Sequence, residues 1–407
     1  MQLRCFDPDC AVRLDLHAPA LACPECGGLL EVEVESSPYP AAELKELWSE
    51  RRKSRDPRDI SGVWRYREFL PAYPAQGVIT LGEGNTPLVR GHKTAAYAGV
   101  SDLQFKHLGW NPTGSFKDLG MTAGITEAVH VGAKVVACAS TGNTAAALAA
   151  YAARAGLIGR IYLPAGQISL NKLAQSIDFG AEIVQVEGSF DDALNTLLEK
   201  TNEGIYFLNS INPFRIEGQK TTMFELMDQL NWVAPDYLVV PGGNLGNSSA
   251  FGKAFEELLR FGLIDRAPRM IVVQAAGANP FARLWKEGAW RDGAGELTPV
   301  AEPQTVATAI QIGNPRSWKK SLRGVRNTGG QVLDVTDEEI SEAKAEIGRD
   351  GIGCEPASAA TLAGLRKLRA ANAIPADASV VAILTGHALK DTNFIIRAHQ
   401  REEAHAH

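Results

Sequence analysis

From about residue 77 to residue 384 the chain repeats one pattern, a short unbroken apolar run followed by a helical stretch. The runs fall at 134–139, 161–164, 181–187, 205–208, 237–241, 270–274, 332–335 and 379–384. Helical patterns follow at 143–155, 170–179, 190–201, 216–230, 337–348 and 356–371. Strands with no polar alternation need apolar cover on both faces, and parallel sheets flanked by helices supply it. The expected class is therefore α/β. In such sheets ligands sit beyond the carboxyl ends of the strands, in the strand-to-helix loops. A chain of 407 residues is too long for one core and predicts two domains, with room for a small appendage.

Charge narrows the function. The formal net charge is −6, which gives no electrostatic case for nucleic acid or for an anionic membrane surface. No apolar run approaches a spanning length, and no charged-then-apolar leader precedes the first cysteine. A cytoplasmic enzyme is the expectation.

Four of the six cysteines lie in the first 26 residues: Cys5, Cys10, Cys23 and Cys26. Two close pairs, C-x4-C and C-x2-C, separated by a hairpin-length loop, suit a tetrahedral Zn(Cys)4 ribbon over 1–35. Four thiolates leave no open coordination position, so the expected role is structural. The competing reading, two disulfides, is disfavoured in a reducing cytosol. His17 is expected to be exposed rather than a ligand. Residues 36–76 read as a linker and a packing arm, with Arg51-Arg52-Lys53 on a solvated face and Trp64, Tyr66, Phe69 and Leu70 packed on the body. Cys138 and Cys354 read as small packing residues.

Three loops carry the chemistry. In Trp110-Asn111-Pro112-Thr113-Gly114-Ser115-Phe116-Lys117-Asp118, Thr113 or Ser115 is expected to cap a helix starting at Lys117. A lysine amine at the positive end of a helix is pushed toward its neutral, nucleophilic form, as Schiff-base chemistry requires. The plain alternative is a surface lysine paired with Asp118. The second loop, Gly242-Gly243-Asn244-Leu245-Gly246-Asn247-Ser248, joins a strand to a helix and reads as a phosphate cradle. It lacks the Lys-Ser/Thr of a nucleotide loop and does not fit G-x-G-x-x-G, which leaves ATP and NAD poor candidates. The third, Ser140-Thr141-Gly142-Asn143-Thr144, could hold a carboxylate, with the Asn143 amide donating to a phenolate-like oxygen. Strand 379–384 ends in Thr385, whose hydroxyl could donate to a ring nitrogen without protonating it. A lysine imine, a phosphate cradle, a phenolic-oxygen donor and a hydroxyl for a ring nitrogen together describe pyridoxal 5′-phosphate.

With these motifs in order, the chain resembles the pyridoxal-phosphate enzymes of fold type II related to the β subunit of tryptophan synthase, and most closely the threonine synthase family. The resemblance runs from Gly82 to Asp391, through 111–118, 139–144, 209–220, 243–247, 355–358 and 385–391. It implies a large cofactor-binding domain over 77–112 and 222–400, and a small mobile domain over 113–221. It implies that Lys117, beside Phe116, carries the cofactor covalently. Asn143 would bind the O3′, residues 243–247 (Gly243, Asn244, Leu245, Gly246, Asn247) the phosphate, and Thr385 the pyridine nitrogen. The loop of Ser140, Thr141, Asn143 and Thr144 would hold the substrate carboxylate, and Asn209, Ser210 and Arg215 a substrate phosphate. The implied substrate is O-phospho-L-homoserine and the implied assembly a homodimer. Ala388 departs from a common glycine in the loop after Thr385. A cysteate synthase acting on O-phosphoserine, a serine or threonine dehydratase, and a catalytically silent binding protein are the alternatives.

Overall fold

The computed structural model describes residues 1–165, 170–188, 192–193, 196–197, 204–288, 290 and 295–396. At the N-terminus β1 (Gln2–Cys5) pairs antiparallel with β2 (Arg13–Leu14) and β3 (Leu30–Glu33). Then come β4 (Leu88–Arg90), β5 (Asp102–His107), β6 (Val135–Ala139), β7 (Ile158–Pro164), β8 (Glu182–Val186) and β9 (Ile205–Phe207). The last strands are β10 (Tyr237–Pro241), β11 (Arg269–Ala275), β12 (Gln331–Val335) and β13 (Ser379–Leu384).

Contacts divide the chain into two compact units: Met1–Asn85, Asn111–Val233 and Lys253–Arg266; and Thr86–Trp110, Ala234–Gly252 and Ala267–His407. The first contains the N-terminal sheet and an all-parallel sheet in the order β8-β7-β6-β9. The second contains a six-stranded sheet, β12-β11-β10-β13-β5-β4, parallel except for β4 against β5. Each parallel sheet reverses its winding once. In the first unit the chain runs outward from β6 to β7 and β8, then returns to the other side of β6 as β9. In the second it runs from β10 to β11 and β12, then returns beside β10 as β13. Crevices at such reversals are where open α/β sheets bind ligands.

α1 (Ala41–Arg51) buries Trp48 edge-on against Tyr66, Phe69 and Phe224, with ring centroids 5.1, 5.9 and 6.0 Å away. The arm of Trp64, Tyr66, Phe69 and Leu70 is thus fully buried. Of the three basic residues only Arg51 leaves the solvated face: it is buried and donates to Glu68 Oε2 at 2.8 Å, whereas Arg52 and Lys53 are exposed, Arg52 donating through Nε to Asp228 at 3.0 Å. Apolar patterning hid both arginine contacts, because their carboxylate partners are remote in sequence.

α2 (Lys117–His130) lies against α5 (Pro213–Gln229), with α3 (Asn143–Ala155) and α4 (Leu170–Asp178) between them in sequence. A Cβ at Gly218 of α5 would meet the Leu119 carbonyl oxygen at 1.9 Å, and one at Gly124 of α2 would meet Leu208 Cδ2 at 2.5 Å. Only hydrogen at Gly218 lets the two helix backbones approach so closely, while Gly124 makes room for the Leu208 side chain. Within the same unit, α5 buries Glu217 and Lys220, which form a four-charge cluster with Lys253 and Glu257. The expected helix over 190–201 lies largely outside the described residues. α5 starts at Pro213, not at residue 216, because Asn212 caps it by accepting from the Phe214 and Arg215 amides at 3.0 and 3.3 Å.

The α2–α5 approach makes the first prediction. Gly218→Ala should destabilise the protein by about 1–3 kcal/mol, the usual cost of overpacking. A lowered urea midpoint with unchanged slope would show it.

Candidate active site

Lys117 opens α2 half-buried, with Nζ 3.9 Å above the Phe116 ring centroid. The cap differs from the one expected. The cap position is Phe116 and its side chain makes no capping bond. The turn is held in reverse by Asp118, which accepts from the Thr113 amide at 2.7 Å and from the Thr113 hydroxyl at 2.6 Å. Ser115 Oγ accepts weakly from the Lys117 amide at 3.4 Å. Asp118 thus braces the turn from the first helical turn.

Beyond β6, residues Ser140 to Thr144 form a half-buried loop into α3, with the Gly142 amide donating to Ser140 Oγ at 3.2 Å. Gly142 caps α3 without any side-chain bond. Beyond β9, on the other side of the same reversal, Asn209 turns its amide onto the backbone of Ala139: Oδ1 accepts from the Ala139 amide at 3.1 Å and Nδ2 donates to its carbonyl at 3.4 Å. Asn209 therefore pins the end of β6, where the carboxylate loop begins. Ser210 is half-buried beside it.

Arg215 is the least expected member. Far from a surface ion-pair partner, it is 3% exposed in the first turn of α5. It packs on α2 one to two turns beyond Lys117, where a Cβ at Gly120 would lie 3.3 Å from Arg215 Cβ. One guanidinium nitrogen donates to the Leu208 carbonyl at 3.3 Å, Nε has no partner, and no described carboxylate pairs with it. Burial pulls its pKa down to about 10, so the group stays charged at neutral pH. A buried cation with an unsatisfied donor is a site for an anion.

In the second unit β10 runs into the cradle and then α6 (Gly246–Arg260). A Cβ at Gly242 would meet Val272 Cγ1 at 2.7 Å. Leu245 sits at φ +63°, a left-handed conformation that costs a side-chain-bearing residue about 1–3 kcal/mol and that clusters at ligand sites. The loop is fixed from outside: Asn244 Oδ1 accepts from the Arg316 amide at 2.7 Å, and Ser249 donates to the Leu245 carbonyl at 2.6 Å. Asn247 is buried with Oδ1 unpartnered. The first amides of α6 have no carbonyl within the helix to reach, so loop and helix end together suit an oxyanion such as a phosphate.

Thr385 lies at the end of β13, the strand beside β10 at that reversal. Its hydroxyl donates to Glu355 Oε1 at 2.9 Å and lies 3.0 Å from Ser358 Oγ. Glu355 and Ser358 were visible in the sequence only as part of a motif, without a role. Ala388 is accommodated by a glycine opposite it: a Cβ at Gly353 would lie 3.1 Å from the Ala388 methyl. Cys138 and Cys354 are buried, and burial pushes both thiols up to about 12, out of nucleophilic range.

The thiol sulfurs of Cys5, Cys10, Cys23 and Cys26 all lie within 4.8 Å of one another, and none is in a disulfide. The Cys5–Cys26 and Cys10–Cys23 sulfurs are 3.4 and 3.6 Å apart. Tetrahedral Zn–S bonds of about 2.3 Å place sulfurs ~3.8 Å apart, so the cluster fits a metal ion of that kind. The Cys26 amide helps draw the Cys23 thiol down to about 7. His17 is not free of the body: its Nδ1 lies 3.0 Å from both Glu127 oxygens on α2, and Glu127 also accepts from Tyr73 at 2.7 Å.

Arg215 generates a stability prediction. Replacing an uncompensated buried charge with an apolar chain of similar length, Arg215→Met, should raise the stability of the unliganded protein by about 1–3 kcal/mol. Phosphate added to both should raise the melting temperature of the wild type more than that of the variant, which keeps only the cradle at 243–247.

Comparison with known proteins extends these observations. Residues 79–386 match the family model described as pyridoxal-phosphate dependent enzyme. A threonine synthase of Methanocaldococcus jannaschii is 47% identical over 400 residues, covering 98% of this chain and 95% of that protein. A threonine synthase of Methanosarcina acetivorans is 44% identical over 398 residues, covering 97% and 93%. Among solved structures, threonine synthase from Escherichia coli superposes with a TM-score of 0.71 at 21% identity, covering 97% of this chain and 91% of that one. Maize serine racemase superposes at 0.65 and 22% identity, covering 80% and 94%. At those identities the structures speak for the fold alone.

Proposed function

The chain belongs to the pyridoxal-phosphate dependent enzymes and, within them, to the threonine synthases, and from that premise we propose how its residues divide the work on O-phospho-L-homoserine. Bound pyridoxal phosphate supplies an aldehyde that condenses with an amine and a ring that delocalises charge from the substrate carbons. Lys117 would hold the cofactor, and its amine would move protons among the substrate's Cα, Cβ and Cγ. Asn143 donates to the cofactor's phenolic oxygen, residues 243–247 hold its phosphate, and Thr385 faces its ring nitrogen. The backbone and hydroxyls of Ser140, Thr141 and Thr144 hold the substrate carboxylate.

Arg215 grips the substrate phosphate, supported by Ser210, while Asn209 keeps the carboxylate loop in register. In the substrate, Cα and Cβ each lose a proton, the Cγ–O bond breaks, and phosphate leaves. A proton then enters at Cγ, water adds its oxygen to Cβ, and Cα is reprotonated. The sum is phosphohomoserine and water to threonine and phosphate. The observation that carries the substrate reading is the buried, unpaired guanidinium of Arg215. A dehydratase, whose substrate bears no phosphate, has no use for such a cation. The four-cysteine ribbon is proposed to hold one structural zinc ion.

Purified protein should release phosphate and threonine in equal amounts from phosphohomoserine. Ammonia and 2-oxobutanoate from threonine as the main activity would instead favour a dehydratase. Lys117→Ala should lose both the activity and the violet absorption of the bound cofactor. Arg215→Ala should lower kcat/KM for phosphohomoserine by about 10²–10³-fold, in line with a lost charged contact of ~3–4 kcal/mol. Metal analysis should find about one zinc per chain, consistent with four thiolate ligands, and Cys23→Ser should lower that content.

A further inference from the structure

Three polar atoms on one stripe of α5 are left unanswered. Residues 215, 219 and 222 follow one another at helical spacing, and each is more than nine-tenths buried. Arg215 Nε, Gln219 Oε1 and Thr222 Oγ1 have no hydrogen-bond partner among the described residues. The neighbouring threonine shows what a helical hydroxyl ordinarily does: Thr221 Oγ1 donates to the Gly218 carbonyl at 2.7 Å. Buried polar groups are nearly always bonded, so a run of exceptions marks a place where a ligand completes the bonding.

The first two of these belong to one place. A Cβ at Gly120 of α2 would lie 2.8 Å from Gln219 Nε2 and 3.3 Å from Arg215 Cβ. Both side chains therefore lie over the same glycine, in the opening turn of the helix that Lys117 starts. Together they present a donor and an acceptor. A guanidinium offers only N–H groups, whereas an amide oxygen offers only lone pairs. An oxyanion without protons answers the arginine but leaves the amide oxygen facing another oxygen. An oxyanion that keeps one proton answers both: its bare oxygens accept from Arg215 while its O–H donates to Gln219 Oε1. A carboxylate at position 219 would make the same distinction but would neutralise the guanidinium. The neutral amide leaves the site cationic.

We propose that Gln219 is a second ligand of the anion site at Arg215 and selects monohydrogen phosphate over oxyanions that bear no proton. The proposal rests on the reading that Arg215 holds the substrate phosphate, and it deepens that reading. In mildly alkaline solution a phosphate ester bears no P–OH. When the Cγ–O bond breaks, its electron pair goes to the phosphate oxygen, and that oxygen takes up a proton to give monohydrogen phosphate. Over the whole reaction this proton is one of the two from water, whose oxygen and other hydrogen end as the hydroxyl on Cβ. Free phosphate thus gains a hydrogen bond that the ester cannot make, and the site holds the product more tightly than the group it was cut from.

The test uses the full-length protein loaded with pyridoxal phosphate, so that the cofactor's phosphate occupies its own cradle, with the violet band confirming loading. Calorimetric titration in mildly alkaline buffer compares three dianions: inorganic phosphate, sulfate and methyl phosphate. Wild type should bind phosphate about tenfold more tightly than either of the others, as one added hydrogen bond to an ionised group allows. Gln219→Met should abolish that preference by weakening phosphate alone. Gln219→Glu, which keeps the acceptor and adds charge, should weaken all three and widen the preference for phosphate. Equal affinities in wild type, a preference that survives Gln219→Met, or equal weakening of all three anions in that variant overturns the proposal. Arg215→Met should lose all three anions. If it still binds phosphate as wild type does, Arg215 does not hold the anion, and the substrate reading falls as well.

Discussion

A guanidinium buried with no carboxylate to answer it is expensive, several kcal/mol even after the surroundings relax. Arg215 carries that cost in the first unit, and neighbouring features fix the position of its charge. The glycines at 120 and 218 bring α2 and α5 into backbone contact, and Gly124 leaves room for the Leu208 and Arg215 side chains, which sets Arg215 against the helix that Lys117 opens. Asn212 caps α5 one residue before Pro213 and so orients its first turn. The Leu208 carbonyl takes one guanidinium proton and leaves Nε unspent. On the proposed reading a substrate phosphate would compensate this arrangement, because it brings charge and acceptors together in the geometry an arginine fork matches.

The two parallel sheets use the same device. In the first unit the loops after β6 and β9 flank the winding reversal, and Asn209 ties one to the end of the other strand. In the second the cradle after β10 and Thr385 after β13 flank the reversal there. A reversal opens a crevice because the connecting helices leave toward opposite faces of the sheet. Four loops chosen for their chemistry thus fall at the two places where topology alone would seek a ligand.

Much of this was legible because parallel strands advertise themselves. The run 237–241 matches β10 residue for residue, and 379–384 matches β13, since both are buried on two faces and end in glycine- or threonine-led loops. β4 and β5 were not singled out: β4 is three residues long, and Asp102, Gln104 and Lys106 interrupt the apolar run of β5. The site was legible where a residue type is itself a constraint, as for Lys117 and the cradle glycines. It was not legible where function rests on what a side chain lacks. No sequence pattern announces that Arg215 is buried with no carboxylate beside it among the described residues, or that Ser358 accepts from two backbone amides. Those are facts of contact, set by residues 7 to 28 positions away.

The N-terminal ribbon shows how far contact can overrule modular reading. Phe214, the residue before Arg215, belongs to the apolar cluster formed by Leu3, Cys5, Cys23, Leu30 and Val32. His17 reaches from the ribbon loop to Glu127 on α2, and its ring lies parallel to that of Phe214 with centroids 6.5 Å apart. The ribbon therefore holds both helices that present Lys117 and Arg215. A cluster of a few apolar residues is too small to order such a segment alone, and closing four thiolates on one metal ion is how short ribbons acquire the missing rigidity. A metal ion held by the four thiols, as proposed, would through Phe214 and His17 stiffen the first turn of α5, where the buried charge is held.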